Sequence, residues 1–189
     1  MDTLDRMVEA VERVRERLQR AAGALDAAGV QFAVVGGNAV AAWVAQIDSA
    51  AVRNTQDVDI LLRREDLSAA DDALRPAGFV YRRARNLEMF LDGPNAKARD
   101  ALYVVFAGER VLPDSLTEAP RVSQSQRLGS IPVVNLDALV TMKLTAFRLK
   151  DRVHLLDMVE VGLLDASWPE RLAPILGARL QSLIDDPDQ

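Results

Sequence analysis

Apolar residues recur at steps of three and four along the first stretch of the chain: Leu4, Met7, Val8, Val11, Val14, Leu18, Ala21, Ala22 and Leu25, with charges filling the positions between. That period predicts one long amphipathic helix over residues 3–28, ended at Gly29. The pattern then shortens. A four-residue apolar run, Phe32 to Val35, reads as a buried strand, and an alanine-rich segment predicts a helix over residues 38–47. "DVDILLRR" reads as a second strand and "EDLSAADDALRPAGF" as a helix stopped near Pro76 and Gly78. Strands are expected at Phe79 to Arg83, Leu87 to Leu91 and Ala101 to Ala107, the last two separated by the turn residues Asp92-Gly93-Pro94-Asn95. Residues 112–130 are polar and proline-bearing and read as a linker. A strand from Ile131 to Val134 and a helical tail follow, with Asn135 and Ser167 as N-caps and Ser167 to Glu170 as a capping box.

That succession predicts an α/β (α+β) fold, a mixed sheet flanked by helices. The expected division is a core over residues 1–112, a linker over 113–130, and a strand plus helical unit over 131–189 packed on the core. Composition agrees with a globular chain: 49% apolar and 27% charged residues in 189. A net charge of −5 argues against nucleic-acid or membrane binding by bulk charge, while leaving room for a local basic patch. The absence of cysteine removes disulfides, thiolate metal sites and cysteine nucleophiles. No apolar run approaches the ~18 residues of a membrane span, and the acidic N-terminus does not read as a signal peptide, so a cytoplasmic protein without membrane partners is expected.

Two features carry chemistry. In "TQDVDILL", Asp57 and Asp59 alternate with apolar residues, so on a strand both carboxylates share one face, with Cα atoms roughly 6.5 Å apart. Like charges held together on a rigid strand call for a cation between them, and a hard divalent ion is the natural one. Upstream, Gly36-Gly37-Asn38 joins strand directly to helix, where glycine admits close backbone approach and a helix start presents free N–H groups to phosphate. A phosphate cradle and a divalent-ion site on successive strands together describe a nucleoside triphosphate site.

"VVGGNAV … RNTQDVDILL" resembles the nucleotidyltransferase superfamily, with its polymerase-β-like fold. Within it, the form Arg53-x-Thr55-x-Asp57-x-Asp59 is similar to the AbiEii-type toxins of bacterial toxin–antitoxin pairs. The resemblance implies that Gly36, Gly37 and Asn38 hold the triphosphate, with Arg53 and Thr55 beside them, and that Asp57 and Asp59 hold Mg²⁺. The implied reaction is attack on the α-phosphorus of an NTP such as ATP, with pyrophosphate leaving. The acceptor is an RNA end, tRNA included, or a protein hydroxyl, and a cognate antitoxin is an implied partner. Small-molecule adenylation, as in antibiotic-modifying relatives, is a further branch of the same superfamily.

The superfamily also expects a third carboxylate on a later strand. Tyr103 stands where that strand would carry it, which leaves Glu88, Asp100 or no residue for the role. Without a third acid, the alternative is a weakly active or inactive protein that binds nucleotide or a partner. In the tail, Lys143 falls inside the apolar arc of Leu139, Val140, Met142, Ala146 and Phe147 on a helical wheel. It therefore either snorkels to an edge or faces a polar cleft. The resemblance favours the cleft, with Lys143 near the triphosphate. Arg148, Lys150 and Asp151 read mainly as surface ion pairs. His154, the one histidine, reads as a satisfied helix residue. Arg82, Arg83 and Arg85 read as a solvated strand end or a nucleic-acid contact, and Trp43 and Trp168 as core.

Overall fold

The computed structural model describes residues 2–187. In chain order the elements are α1 (Thr3–Ala27), β1 (Phe32–Val35), α2 (Gly36–Val44), β2 (Val58–Leu62), α3 (Leu67–Leu74), β3 (Val80–Ala84), β4 (Leu87–Leu91), β5 (Ala101–Phe106), β6 (Ser125–Leu128), β7 (Ile131–Val134), α4 (Leu136–Ala146), α5 (Leu149–Glu160) and α6 (Pro174–Asp185), with short 3-10 turns between some of them. The seven strands form one mixed sheet in the order β3-β4-β5-β2-β1-β7-β6. β1 and β2 run antiparallel, while β2–β5 and β1–β7 are parallel.

The central strands are short apolar runs because they are covered on both faces. All four residues of β1 are buried, and Val58, Ile60, Leu61 and Leu62 of β2 are fully so. Two helix groups provide the cover. α1 packs on α3, and α3 on β3; α2 packs on β1, β2 and β7 and meets α4 and α5, which meet α6. Trp43 of α2 donates its indole N–H to the Val134 carbonyl at 3.0 Å, tying α2 to β7. Trp168 is buried in the core.

Several boundaries differ from the sequence expectation, each for a local reason. α2 starts two residues earlier than expected, at Gly36 itself, because Gly36 takes φ +69 and lets the chain turn from strand into helix with no intervening loop. Residues 112–130 contain a strand where none is expected: β6 pairs with β7 at the sheet edge, and Ala119 and Val122 lie buried in the core. A polar edge strand shows no alternation to betray it. Asn135 caps α4 through its side chain on the Ala138 N–H. Ser167 caps nothing; its N–H and hydroxyl both donate to Asp165.

The first part of the tail, read from the sequence as one helical stretch through His154, is two helices, α4 and α5. The break falls at Phe147, which adopts the left-handed region at φ +47 with neither glycine nor proline nearby to announce it. The carbonyls of Leu144 and Thr145 at the end of α4 accept from the Arg179 guanidinium of α6, which also lies over the Phe147 ring. Tertiary partners thus stabilise a corner that local propensity disfavours.

Candidate active site

Asp57 immediately precedes β2 and Asp59 is its second residue. In register, Asp59 stands between Val35, the last residue of β1, and Tyr103 of β5. The carboxylates therefore sit where β1 ends and α2 begins. The two glycines are explained by what lies against them. A Cβ on Gly36 would fall within the contact distance of Asp59 Oδ2, and one on Gly37 would lie 2.8 Å from Thr55 Oγ1. Gly36 makes room for Asp59, and Gly37 for Thr55. Asn38 donates its side-chain amide to the Asp57 carbonyl at 2.7 Å, fixing the entry to β2 against the first turn of α2. That first turn carries no side-chain cap, so its leading N–H groups have no side-chain acceptor among the described residues.

Cations approach from the α4–α5 corner. Lys143 is buried and donates to Asp151 Oδ1 at 3.0 Å; Arg148 Nε donates to Asp151 Oδ2 at 2.7 Å. Asp151 is itself buried and also accepts the Arg148 backbone N–H at 3.2 Å, which caps α5. Lys150 Nζ reaches Asp57 Oδ2 at 3.4 Å. Lys143 does not snorkel to an edge: the side chain is buried and its ammonium meets the Asp151 carboxylate rather than bulk water.

The protonation balance follows from these contacts. Burial first, and the neighbouring Asp57 charge second, push the Asp59 carboxyl above its ordinary range, against the opposing pull of Lys143, Lys150 and Arg148. Burial also pulls the Lys143 ammonium below its ordinary value, opposed by Asp151 and Asp59. Burial would raise Asp151, but its hydrogen bonds and charge contacts with Arg148 and Lys143 outweigh that and hold it below the usual range. Lys143 and Asp151 both move down because Asp151 has two cationic partners, whereas Lys143 shares its carboxylate with Arg148. Tyr103 stands in register with Asp59, and its hydroxyl is raised by burial and then by the charges of Asp57 and Asp59.

Neither proposed third acid joins this group. Glu88 pairs in register with Val104, one residue off the row that runs Asp59, Tyr103, Met89, Arg82, so its side chain faces the other side of the sheet. There it accepts from Tyr81 Oη at 2.5 Å and pairs with Arg83 at 3.3 Å. Asp100 is turned to α1, where Arg17 Nη2 lies 3.4 Å away. Among the described residues no cluster of three or more acidic, histidine or cysteine side chains is placed to hold a metal. Arg53 uses Nε and Nη2 in two 2.9 Å bonds to Asp157 of α5, which anchors the segment leading into β2.

No protein-family model and no curated protein matches this sequence. Solved structures do. The solution structure of the antibiotic-resistance factor ANT(2'')-Ia superposes with a TM-score of 0.55 at 10% identity, over 90% of each chain. ANT(2'')-Ia in complex with adenylyl-2''-tobramycin gives 0.53 at 14%, covering 88% of this chain and 96% of that one. A candidate nucleotidyltransferase from H. pylori gives 0.54 at 13%, covering 94% and 78%. The fold is that of the nucleotidyltransferases. At these identities the likeness is one of architecture, and the nucleotidyltransferase fold here carries its Gly-Gly junction and carboxylate pair at the meeting point of β1, α2 and β2.

Sequence reasoning singled out Asp57, Asp59, Lys143 and the glycines, and did not assign Asp151, Arg148, Lys150 or Tyr103 to the site. Lys143 and Asp151 are eight residues apart. On one continuous helix they would sit roughly two turns apart along the axis; only the corner at Phe147 brings them together.

Proposed function

We propose that this protein transfers a nucleoside monophosphate from an NTP to an acceptor hydroxyl, with Mg²⁺ held by Asp57 and Asp59. The observation that carries the reading is the placement of two adjacent carboxylates beside an uncapped helix start, with Lys150 of α5 paired to Asp57 and the charges of Lys143 and Arg148 at the α4–α5 corner acting on Asp59. The donor set suits the ion: Mg²⁺ binds through one or two carboxylates and completes its shell with water and substrate phosphate oxygens. When bound, the metal neutralises charge on the phosphates and lowers the barrier to displacement at phosphorus.

The chain's own residues supply the rest. The first N–H groups of α2 receive phosphate oxygens. Lys143, oriented by Asp151, and Arg148 place positive charge where the leaving pyrophosphate accumulates negative charge. Asn38 fixes the entry to β2 against the first turn of α2, and Thr55 packs against Gly37, so that catalysis rests on positioning and charge. The acceptor hydroxyl oxygen bonds to the α-phosphorus, its proton passing to solvent, as the α-phosphorus bond to the bridging oxygen breaks and pyrophosphate leaves with that bonding pair.

For the acceptor, an RNA end (tRNA included) or a protein hydroxyl is supported by Arg82, which shares the row of Asp59 and Tyr103 and lies with Arg83 and Arg85 on an exposed basic edge. A small-molecule acceptor is supported by the adenylyl-2''-tobramycin in one similar structure. A toxin role with a cognate antitoxin rests on the AbiEii resemblance. The experiment is incubation with each α-labelled NTP, Mg²⁺ and total RNA or protein; label transfer by wild type, lost in Asp57→Asn, is the expected result.

A second reading has its own observation. Tyr103 occupies the row position beside Asp59 where a third acid would stand, which favours a protein that binds nucleotide without transferring it. Measurable NTP binding with no transfer to any acceptor decides for that reading.

A further inference from the structure

The first half of α1 carries an apolar stripe with no partner among the described residues. Leu4, Met7, Val8 and Val11 are 67%, 62%, 62% and 38% exposed, while Leu18, Ala21, Ala22 and Leu25, farther along the same helix, are buried. At 100° per residue all eight fall on one face. The stripe that packs into the core from Val14 onward therefore continues N-terminally onto a free arm, residues 3–13, about 17 Å long at ~1.5 Å per residue. Burying an apolar side chain of this size is worth about 2 kcal/mol, and only a second surface can provide that burial.

The charges along the arm say which surface. Its outer part carries Asp2, Asp5, Glu9 and Glu12 against Arg6; its base carries Arg13, Arg15, Arg17 and Arg20 against Glu16. Arg17 and Arg20 are held by Asp92 of the body, but Arg13 and Arg15 make only exposed pairs within the helix, to Glu9 and Glu12. Such pairs are weak and exchange readily. Arg15 borders the apolar stripe near the body, and Asp5 borders the same side near the tip. Charge changes sign along the arm, so it is complementary to itself reversed. A parallel pair would set acids against acids and arginines against arginines; an antiparallel pair sets each acidic tip beside the basic base of the other arm.

We propose that the arm docks antiparallel against the same arm of a second copy of this chain. The two-fold axis falls near Val8 and Val11, with Leu4 and Asp5 of each copy level with Arg15 of the other. The arm is long enough for its tip to reach the base of the other copy, and the shared seam of eight side chains forms a small interface. After the entropic cost of association, the surplus is that of a weak, reversible dimer.

Sedimentation equilibrium from low micromolar to several hundred micromolar chain tests the association. Wild type is expected to show a monomer–dimer equilibrium across that range. Met7→Lys combined with Val8→Glu should weaken it roughly a hundredfold or more while leaving thermal unfolding unchanged, since both positions are exposed. Orientation is read by cross-linking, which is clean because the chain has no cysteine. Leu4→Cys mixed with Arg15→Cys should form a disulfide between the two variants under mild oxidation, and neither should cross-link to itself as well. A wild-type chain that stays monomeric at the highest concentration, or Leu4→Cys protein that cross-links preferentially to itself, overturns the proposal.

Discussion

The Asp59 carboxylate occupies the space that a side chain on Gly36 would need: a Cβ there would lie 2.9 Å from Asp59 Cγ and closer still to Oδ2, while Gly36 itself holds φ +69. The glycine is thus fixed twice, by backbone conformation and by its neighbour. Gly36→Ala is expected to lower stability by about 1–3 kcal/mol and to displace Asp59, so that transfer activity falls further than stability explains. Urea unfolding and label transfer measured on the same preparation check this; an active variant of wild-type stability would show that the contact does not position the acid.

Asp151 joins Lys143, Arg148 and the first turn of α5. Removing its charge leaves a buried ammonium without its carboxylate, which typically costs about 3–5 kcal/mol. Asp151→Asn should lower the urea midpoint accordingly. A loss below about 0.5 kcal/mol, the range of ordinary surface substitutions, would mean that the corner does not depend on this hub.

Lys150 pairs with Asp57 Oδ2 at 3.4 Å, on one of the two carboxylates assigned to the metal. Under the proposed assignment the lysine and the ion would compete for Asp57. Because the pair is exposed and worth at most about 1 kcal/mol, Lys150→Ala should tighten Mn²⁺ binding by no more than about fivefold. Weaker binding in the variant would show that Lys150 does not oppose the ion at Asp57.

His154 is pulled down to about 4, by burial first and then by Lys143, and its Nδ1 has no hydrogen-bond partner among the described residues. The expectation of a satisfied histidine does not hold. The sign follows from proton binding: between the unfolded value of about 6.5 and the folded value of about 4, the unfolded chain binds the proton and the folded one does not. Stability contributed by neutral His154 is full above about pH 6.5 and is lost as pH falls toward 4. Discounted for partial exposure, the effect is on the order of 1–2 kcal/mol. Comparing urea midpoints at pH 7 and pH 5 for wild type and His154→Gln checks it, since the glutamine variant should lose less stability on acidification.

The sheet core and the carboxylate strand were legible because their signals are local. Periodicity marks α1, short apolar runs mark β1, β2 and β5, and Asp57-Val58-Asp59 declares its own geometry. What stayed hidden depends on chain reversal. The Phe147 corner turns in a left-handed conformation on a residue that rarely adopts it, so the stretch across it reads as one helix, and Lys143, Arg148, Lys150 and Asp151 read as members of separate faces. β6 is polar because it lies at an edge, and the polar pattern that suggested a linker is what an edge strand shows. Glu88 had the apolar neighbours of a site acid, but sheet register turns it to the other face, a one-residue distinction that sequence alone does not resolve.

Metal and nucleotide binding to the carboxylate pair is the claim on which the chemistry rests. Because burial and mutual repulsion oppose ionisation of Asp59, neither Asp57→Asn nor Asp59→Asn should destabilise the fold at pH 7. The direct measurement is calorimetric titration of a non-hydrolysable NTP into wild type and both variants, with and without Mg²⁺, alongside thermal unfolding. The predicted result is Mg²⁺-dependent binding to wild type that disappears in each variant at unchanged unfolding temperature; equal Mg²⁺-dependent binding to all three proteins would contradict it.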